Sequence, residues 1–579
     1  MIKKVFLTIT YKTFVFSLFV QTHITNTTLV DVENKKLIPN QTIKIIDDLI
    51  TDIKHSSEFS LPADSHVVDG IDKYLIPGLV DAHVHFFQNG GLYTRPDAID
   101  LRKYSSYENE IEIAKSGMET TLRRYLKHGI TTVIDVGATY NLLNHRNEFK
   151  DKSYSPTIFM TGPLLTTFKP QVYQSLVNDN PFILTKSIKD GINSVKEQLP
   201  YNPDFIKIWY IVGVDGLSIK ESAYKNLPIV KAIIDEAHRN KLKVAVHATQ
   251  KITAQLAVEN GADFLVHSIN DEVLGKDFIE LLKKKKVILC PTLMVHSGYN
   301  KTFGQKLQFN NRELLESDPY QLGSLLDLRH LEDTLLVNRL NRYANSDKKM
   351  LHIKKSDSVS LVNLKLLADA GVLIASGTDA GNIGTLHASS YLGELNAMHK
   401  SGMTNWQIIE ASSINGAKIL DKEEQIGSID IGKKADLVLL DGNPVENFQN
   451  IAKVFRIINK GEVIKPDELL SNSPRALAQR QLNGYNLRNI DAFLEPYDDD
   501  VEVYYFPNQL QYVGKETMKE IYSQMFNQIS NLHCELKNRI VHNNIVIDKE
   551  LVRSGDTKKE AVAIYHIEVE KIKRVYFVK

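Results

Sequence analysis

Residues Leu75–His85 read LIPGLVDAHVH, an apolar run that ends in two histidines, His83 and His85, one residue apart. In a strand, residues i and i+2 point to the same face, so both imidazoles project together from the strand's end. That is a chelating geometry, although a bare His-x-His also occurs by chance in loops. The rest of the chain decides between the two. Seven further short apolar runs follow: GITTVIDVG from Gly129, TIFMTG from Thr157, DFIKIWYIV from Asp204, KVAVHA from Lys243, DFLVHS from Asp263, KVILCP from Lys286 and VLIASGTDAG from Val372. Between them lie amphipathic, helix-like stretches such as LPIVKAIIDEAHRNKL from Leu227. Eight strand–helix repeats predict an α/β fold built on a (β/α)8 TIM barrel, whose active site sits at the C-terminal ends of its strands.

Candidate ligands stand at five of those ends: His83 and His85 on run one, Lys207 on run four, His247 on run five, His267 on run six and Asp379 on run eight. Histidine and aspartate are ordinary ligands for zinc and related divalent ions. Lys207 has two readings, because a bare ammonium cannot ligate a cation. Either it joins the ligands in a form other than the ammonium, or it is structural; apolar neighbours would lower its pKa and expose the neutral amine.

The chain has 579 residues, more than one core usually serves, so at least two domains are expected. Lys plus Arg and Asp plus Glu each total 70, so there is no electrostatic footprint for a nucleic-acid partner. The two cysteines, Cys290 and Cys534, lie far apart in apolar runs and read as buried thiols. Residues 1–22, MIKKVFLTITYKTFVFSLFVQT, have the basic start and apolar body of a signal peptide, interrupted by Thr10–Thr13 and without a small-x-small cleavage site. Export to the periplasm or medium is therefore expected over a cytoplasmic location. No other run is long and apolar enough to predict a stable membrane span.

Short β-prone runs separated by turns in 23–74 suggest a small antiparallel unit, and the sheet-like texture returns in 427–466, on either side of a barrel over 75–426. The connection from Thr292 to about Asp369 is far longer than a usual loop and looks helical, which suggests a cap over the barrel mouth. Residues 467–484 read as a polar linker, and 485–579 as an independent α+β domain.

With all six positions in place, the sequence from about Ile24 to Lys465 resembles the amidohydrolase superfamily, and in particular its metal-dependent hydrolases related to prolidases and imidazolonepropionases. Members have a metal-binding His-x-His after strand one, a carboxylated lysine at strand four, histidines at strands five and six and an aspartate at strand eight. GSIDIGKKADLVLLDGNP, from Gly427, is similar to the family's return strand into the composite sandwich. The resemblance implies two divalent ions, Zn2+ being the expected species. His83, His85 and Asp379 would hold the more buried ion, His247 and His267 the more exposed one, with a carbamate on Lys207 as bridge. It further implies that hydroxide held between the ions attacks a small-molecule amide, with Asp379 as the catalytic proton carrier to the departing amine.

A deaminase of the same superfamily is the alternative enzyme. Those members place a glutamate three residues after the strand-five histidine; here that position is Gln250, which cannot shuttle a proton. A non-catalytic scaffold is the other alternative, but no ligand has been lost.

Other groups carry weaker signals. His387 reads either as a substrate or ligand-supporting group or as helix packing, while His296 and His238 read as ordinary packing histidines. Arg95, Arg146, Lys169 and Tyr210 are candidates to meet a substrate carboxylate, with Tyr210 carried forward beside His387 as substrate-binding. The last segment resembles the SnoaL-like branch of the nuclear transport factor 2 fold, whose members include pocket and dimerisation modules, so a homodimer through this domain is expected. Its polar residues His533, Arg539, Asp548 and Glu550 fit a pocket or a half-buried sheet equally well.

Overall fold

The computed structural model describes residues 21–62, 65–176 and 178–578. The expected signal segment falls almost wholly outside the described residues; a strand, Gln21–Asp31, begins at its last two positions.

The eight expected runs all form the barrel wall. Seven are strands: Leu79–Val84, Ile130–Asp135, Thr157–Met160, Phe205–Trp209, Lys243–His247, Phe264–Val266 and Ile288–Cys290. The eighth is an extended segment held by single parallel bridges, Leu289 to Ile374 on one side and Val84 to Ala380 on the other, which closes the ring. All ladders between these strands are parallel. Strand three meets strand four through Asp204 N–H donating to Met160 O at 2.9 Å. Val80, Ala82, Ile134, Phe205, Ala245, Phe264, Val266, Ile288 and Ala375 point inward and fill the barrel. Helix faces and strand exteriors make the larger outer core.

The first run is divided. Tyr74–Pro77 pairs antiparallel with Leu437–Leu440 in an eight-stranded sheet that also takes in Gln21–Asp31, so residues from both ends of the barrel sequence build one composite layer. The chain passes into the barrel at Gly78, where a Cβ would come within 1.9 Å of Thr131 Oγ1. Only glycine permits that approach.

Helices Val295–Phe303, Asn311–Glu316, Pro319–Leu325, Thr334–Ala344 and Asp347–Asp369 fill the long connection after strand seven. Leu314, Leu322, Leu325 and Leu328 pack there against Leu92, Ile99, Ile383 and Leu386, the loops that follow strands one and eight. This is the expected cap.

The C-terminal unit is a six-stranded sheet with three helices against it. Its boundary differs from the expectation. Pro474–Leu487, read as mostly linker, is a helix whose Leu477 and Ala478 are fully buried in the C-terminal core beside Phe493, Tyr497 and Val546. Its polar residues look like a linker in the sequence, but they too are buried, bonded to the sheet and the cap. Gln481 Nε2 donates to Tyr565 Oη at 2.9 Å, and Asn483 Nδ2 to Pro319 O at 2.7 Å. Both cysteines are free and buried. Among the described residues no helix is long and apolar enough to cross a membrane.

Candidate active site

The six expected ligand positions meet at the C-terminal mouth of the barrel. His83 and His85 share a face, as an i, i+2 pair must, with their Nε2 atoms 3.4 Å apart. Asp379 Oδ1 lies 3.2 Å from His83 Nε2 and 3.3 Å from His85 Nε2. Asp379 adopts φ 59°, in the left-handed region, and its N–H donates to His83 O at 2.7 Å. That turn brings the carboxylate back over strand one. Asp81 secures the same junction, accepting from Thr378 N at 3.0 Å and Thr378 Oγ1 at 2.8 Å.

The arrangement fits a metal. His85 Nδ1–H donates to Gly137 O at 3.0 Å, so the proton sits on Nδ1 and the Nε2 lone pair faces Asp379. Burial drives His83 down to about 4, and His247 and His267 well below the ordinary histidine value. The imidazoles are therefore neutral, the form that ligates. Asp379, although burial acts to raise it, lies well below the usual carboxylate range and is the anion among them. A buried anion ringed by neutral donor nitrogens is a cation site.

His247 and His267 stand beside it, ring centroids 4.3 Å apart, with His267 5.0 Å from the His83 ring. His267 has φ 77° and its Nδ1 lies 2.7 Å from Thr292 Oγ1, which orients the ring. Lys207 lines the same cavity. It is 1% exposed in strand four, and burial takes its ammonium down to about 7. Among the described residues no ion pair engages its Nζ.

A cavity of about 360 Å³ opens on these groups, lined also by Phe87, Arg95, Trp209, His296, Tyr299 and Asn382. Asn382 Nδ2 donates to Asp379 Oδ1 at 2.7 Å, while Tyr299 Oη, at 2.7 Å, and Arg95 Nη1 donate to Asn382 Oδ1. Nothing in the sequence points to Asn382 or Tyr299, and His296 has the setting of a packing histidine there. They lie on the cap helix and the loop after strand eight, and no local spacing marks them. Of the carboxylate-binding candidates only Arg95 reaches the cavity, its guanidinium paired with Asp97 at 2.6 Å. Tyr210 does not line it: its hydroxyl donates to Ala223 O at 2.5 Å, because position 210, past the end of strand four, faces the following helix. Arg146 is tied to Asp204, and Lys169 is not among the lining residues. His387 stacks on Phe86 with centroids 5.4 Å apart, donates from Nε2 to Gln88 O and accepts from Tyr125 Oη, each at 2.9 Å. It braces the loop after the His-x-His pair and does not line the metal cavity.

In the C-terminal sheet, Arg539 and Asp548 form a buried two-pronged ion pair at 2.7 and 2.6 Å, a structural use of both. Burial lifts Glu550 there to about 7.

A barrel with histidines and an aspartate converging on one buried point defines a metal-dependent hydrolase. Comparison with known proteins gives the family. The chain belongs to the amidohydrolase family, whose model matches residues 74–466, and it carries a SnoaL-like domain over residues 478–575. It is thus an enzyme acting on carbon–nitrogen bonds of small molecules, in a family that binds divalent metals. It is similar to an imidazolonepropionase of Fusobacterium nucleatum, 28% identical over 405 residues, covering 68% of this chain and 82% of that one. A 5'-deoxyadenosine deaminase of Methanobrevibacter smithii is 34% identical, but over 79 residues, 12% of this chain and 18% of the other. A solved prolidase complexed with N-methylphosphonate-L-proline shares the fold, with TM-score 0.58, 20% identity and coverage of 77% of this chain and all of that one.

Proposed function

We propose that the protein hydrolyses the amide bond of a small peptide-like or cyclic-amide substrate, using two Zn2+ ions and a carbamate on Lys207. The observation that carries this reading is the convergence of His83, His85 and Asp379 to within 3.4 Å, with His247, His267 and Lys207 on the same cavity. His83, His85 and Asp379 would hold one ion, and His247 and His267 the other. A carbamate on Lys207, one negative charge shared by two oxygens, would supply the ligands that two histidines lack. When bound, the ions supply an activated water and polarise the scissile carbonyl.

The chain's own groups do the rest. Asp379 keeps Oδ2 on the side of His267, 3.9 Å from its Nδ1, while Asn382 holds Oδ1. The carboxylate is thereby aimed to take a proton at the cavity and hand it to the departing nitrogen, without which an amine leaves poorly near neutral pH. Phe87, Phe182 and Trp209 give the cavity an apolar wall suited to a substrate side chain or ring. Asp97 already neutralises Arg95, so Arg95 acts through Asn382 rather than as a free cation for a substrate carboxylate.

The relatives named imidazolonepropionase and prolidase support a ring or peptide amide as substrate. Gln250, a non-ionisable group where the deaminases have a glutamate, supports hydrolysis over deamination. The test is a screen of the metal-loaded protein against Xaa-Pro dipeptides, N-acyl amino acids and cyclic amides, with ammonia followed in parallel. Ring opening or amine release is the expected result; ammonia from an aminated ring without amide cleavage would move the assignment to a deaminase.

A further inference from the structure

Where the cap meets the C-terminal domain lies a second cavity, of about 440 Å³, which shares no lining residue with the metal cavity. The cap contributes Arg329 and His330, and the C-terminal domain Asn486, Arg488, Asn531 and His533. His533 and Arg553 sit directly opposite on neighbouring antiparallel strands, so both side chains rise from one face of the sheet. Arg553 Nη2 donates to His330 O at 3.2 Å, and the His330 and His533 rings stack with centroids 3.5 Å apart and planes within 11°.

Every charge gathered here has the same sign. Among the described residues no carboxylate lines the cavity, and none of Arg329, Arg488 and Arg553 forms an ion pair. Nearby acids are engaged elsewhere: Glu535 pairs with Lys537 at 2.6 Å, and Asp327 accepts from Tyr93 Oη at 3.3 Å. His533 is 2% exposed, yet its Nε2 has no hydrogen-bond partner, and neither does the buried Nε of Arg553. Burial, then the neighbouring cations, push His330 down to about 4 and His533 further still. Like charges brought together beside unsatisfied buried nitrogens cost stability unless a counter-charge is present. Guanidinium forks match the oxygens of phosphate and carboxylate. The volume falls in the range of small-molecule sites, roughly 300–1,000 Å³.

We propose that this cavity binds a small molecule through a compact oxyanion, phosphoryl or carboxylate, held between Arg329 of the cap and Arg488 of the C-terminal domain. Bound there, the anion neutralises the cluster and fastens the two units together beside the cap helix Val295–Phe303, whose other end carries His296 and Tyr299 into the metal cavity.

The test is calorimetric titration of the full-length, metal-loaded protein with inorganic phosphate and, separately, with succinate, ionic strength being held constant with sodium chloride. Saturable binding of one or both is expected, and the arm that binds names the group recognised. Arg329→Ala removes an exposed side chain that folding does not need, and should weaken binding about tenfold; Arg329→Ala with Arg488→Gln should abolish it. If neither anion binds saturably, or if the double variant binds as the parent does, as binding at the metals would require, the proposal is wrong.

Discussion

Asn382 Nδ2 donates to Asp379 Oδ1 at 2.7 Å, and the opposite end of the same amide accepts from Tyr299 and Arg95. One side chain therefore fixes the Asp379 carboxylate to the cap helix and to the loop after strand one. Asn382→Ala frees Asp379 and strands two donors. Supporting groups of this kind typically contribute about 10–100-fold to metal affinity or activity. We expect a fall of that order in kcat and in metal affinity, with a lowered thermal melt from the two stranded donors. Wild-type metal content and kcat in the variant would show that the amide orients nothing.

Lys207 separates a two-metal site from a one-metal site. Lys207→Ala should lower metal content from about two ions per chain to one or fewer, with turnover down by orders of magnitude. The fold should survive, at a cost of roughly 1–3 kcal/mol. Formate or acetate should partly restore turnover by filling the vacated bridge. Elemental analysis and rates with and without the added acid decide it. Two retained metals and near-native rates would reduce Lys207 to a packing residue.

Glu316 clasps the cap to the barrel. It accepts from His128 Nε2 at 3.1 Å and from Arg312 Nε at 2.7 Å. Burial acts to raise its pKa, but His128 and Arg312 outweigh this and bring it to about 2 from 4.5. A carboxyl depressed in the folded state binds fewer protons there than when unfolded, so its stabilisation is complete above pH 4.5 and is lost as pH falls towards 2. Thermal melts across that window should fall more steeply for the parent than for Glu316→Gln, which starts lower and loses this dependence. Parallel curves would refute the clasp.

The helix Pro474–Leu487 sets where the last domain can be cut. A fragment of residues 485–579 lacks the buried Leu477, Ala478 and Leu482 and should aggregate or melt without cooperativity. A fragment of residues 472–579 keeps them and should show a cooperative transition by circular dichroism. A cooperative melt from the shorter piece would make the helix dispensable.

The sequence by itself determined the barrel and the positions of its candidate ligands. Strand–helix alternation is a local pattern, each run being read from its own few residues, and a ligand at a strand end is placed as soon as the strand is. His83 and His85 share a face because of the two-residue period of the strand, whatever surrounds them. It also carried the composite sandwich, although not the hand-over at Gly78, which depends on Thr131 some fifty residues away.

Tertiary structure decided everything that joins distant parts. Asn382 and Arg95 are 287 positions apart, and His330 and Arg553 are 223 apart. His296 and Tyr299 enter the cavity only because the cap folds back over the mouth, Tyr210 misses it because its residue turns toward the next helix, and a polar segment became a core helix because its polar groups found buried partners. Periodicity reports which face of an element is buried, but not which element from elsewhere in the chain will bury it, and both the shape of the substrate cavity and the charge of the second one are set by those encounters.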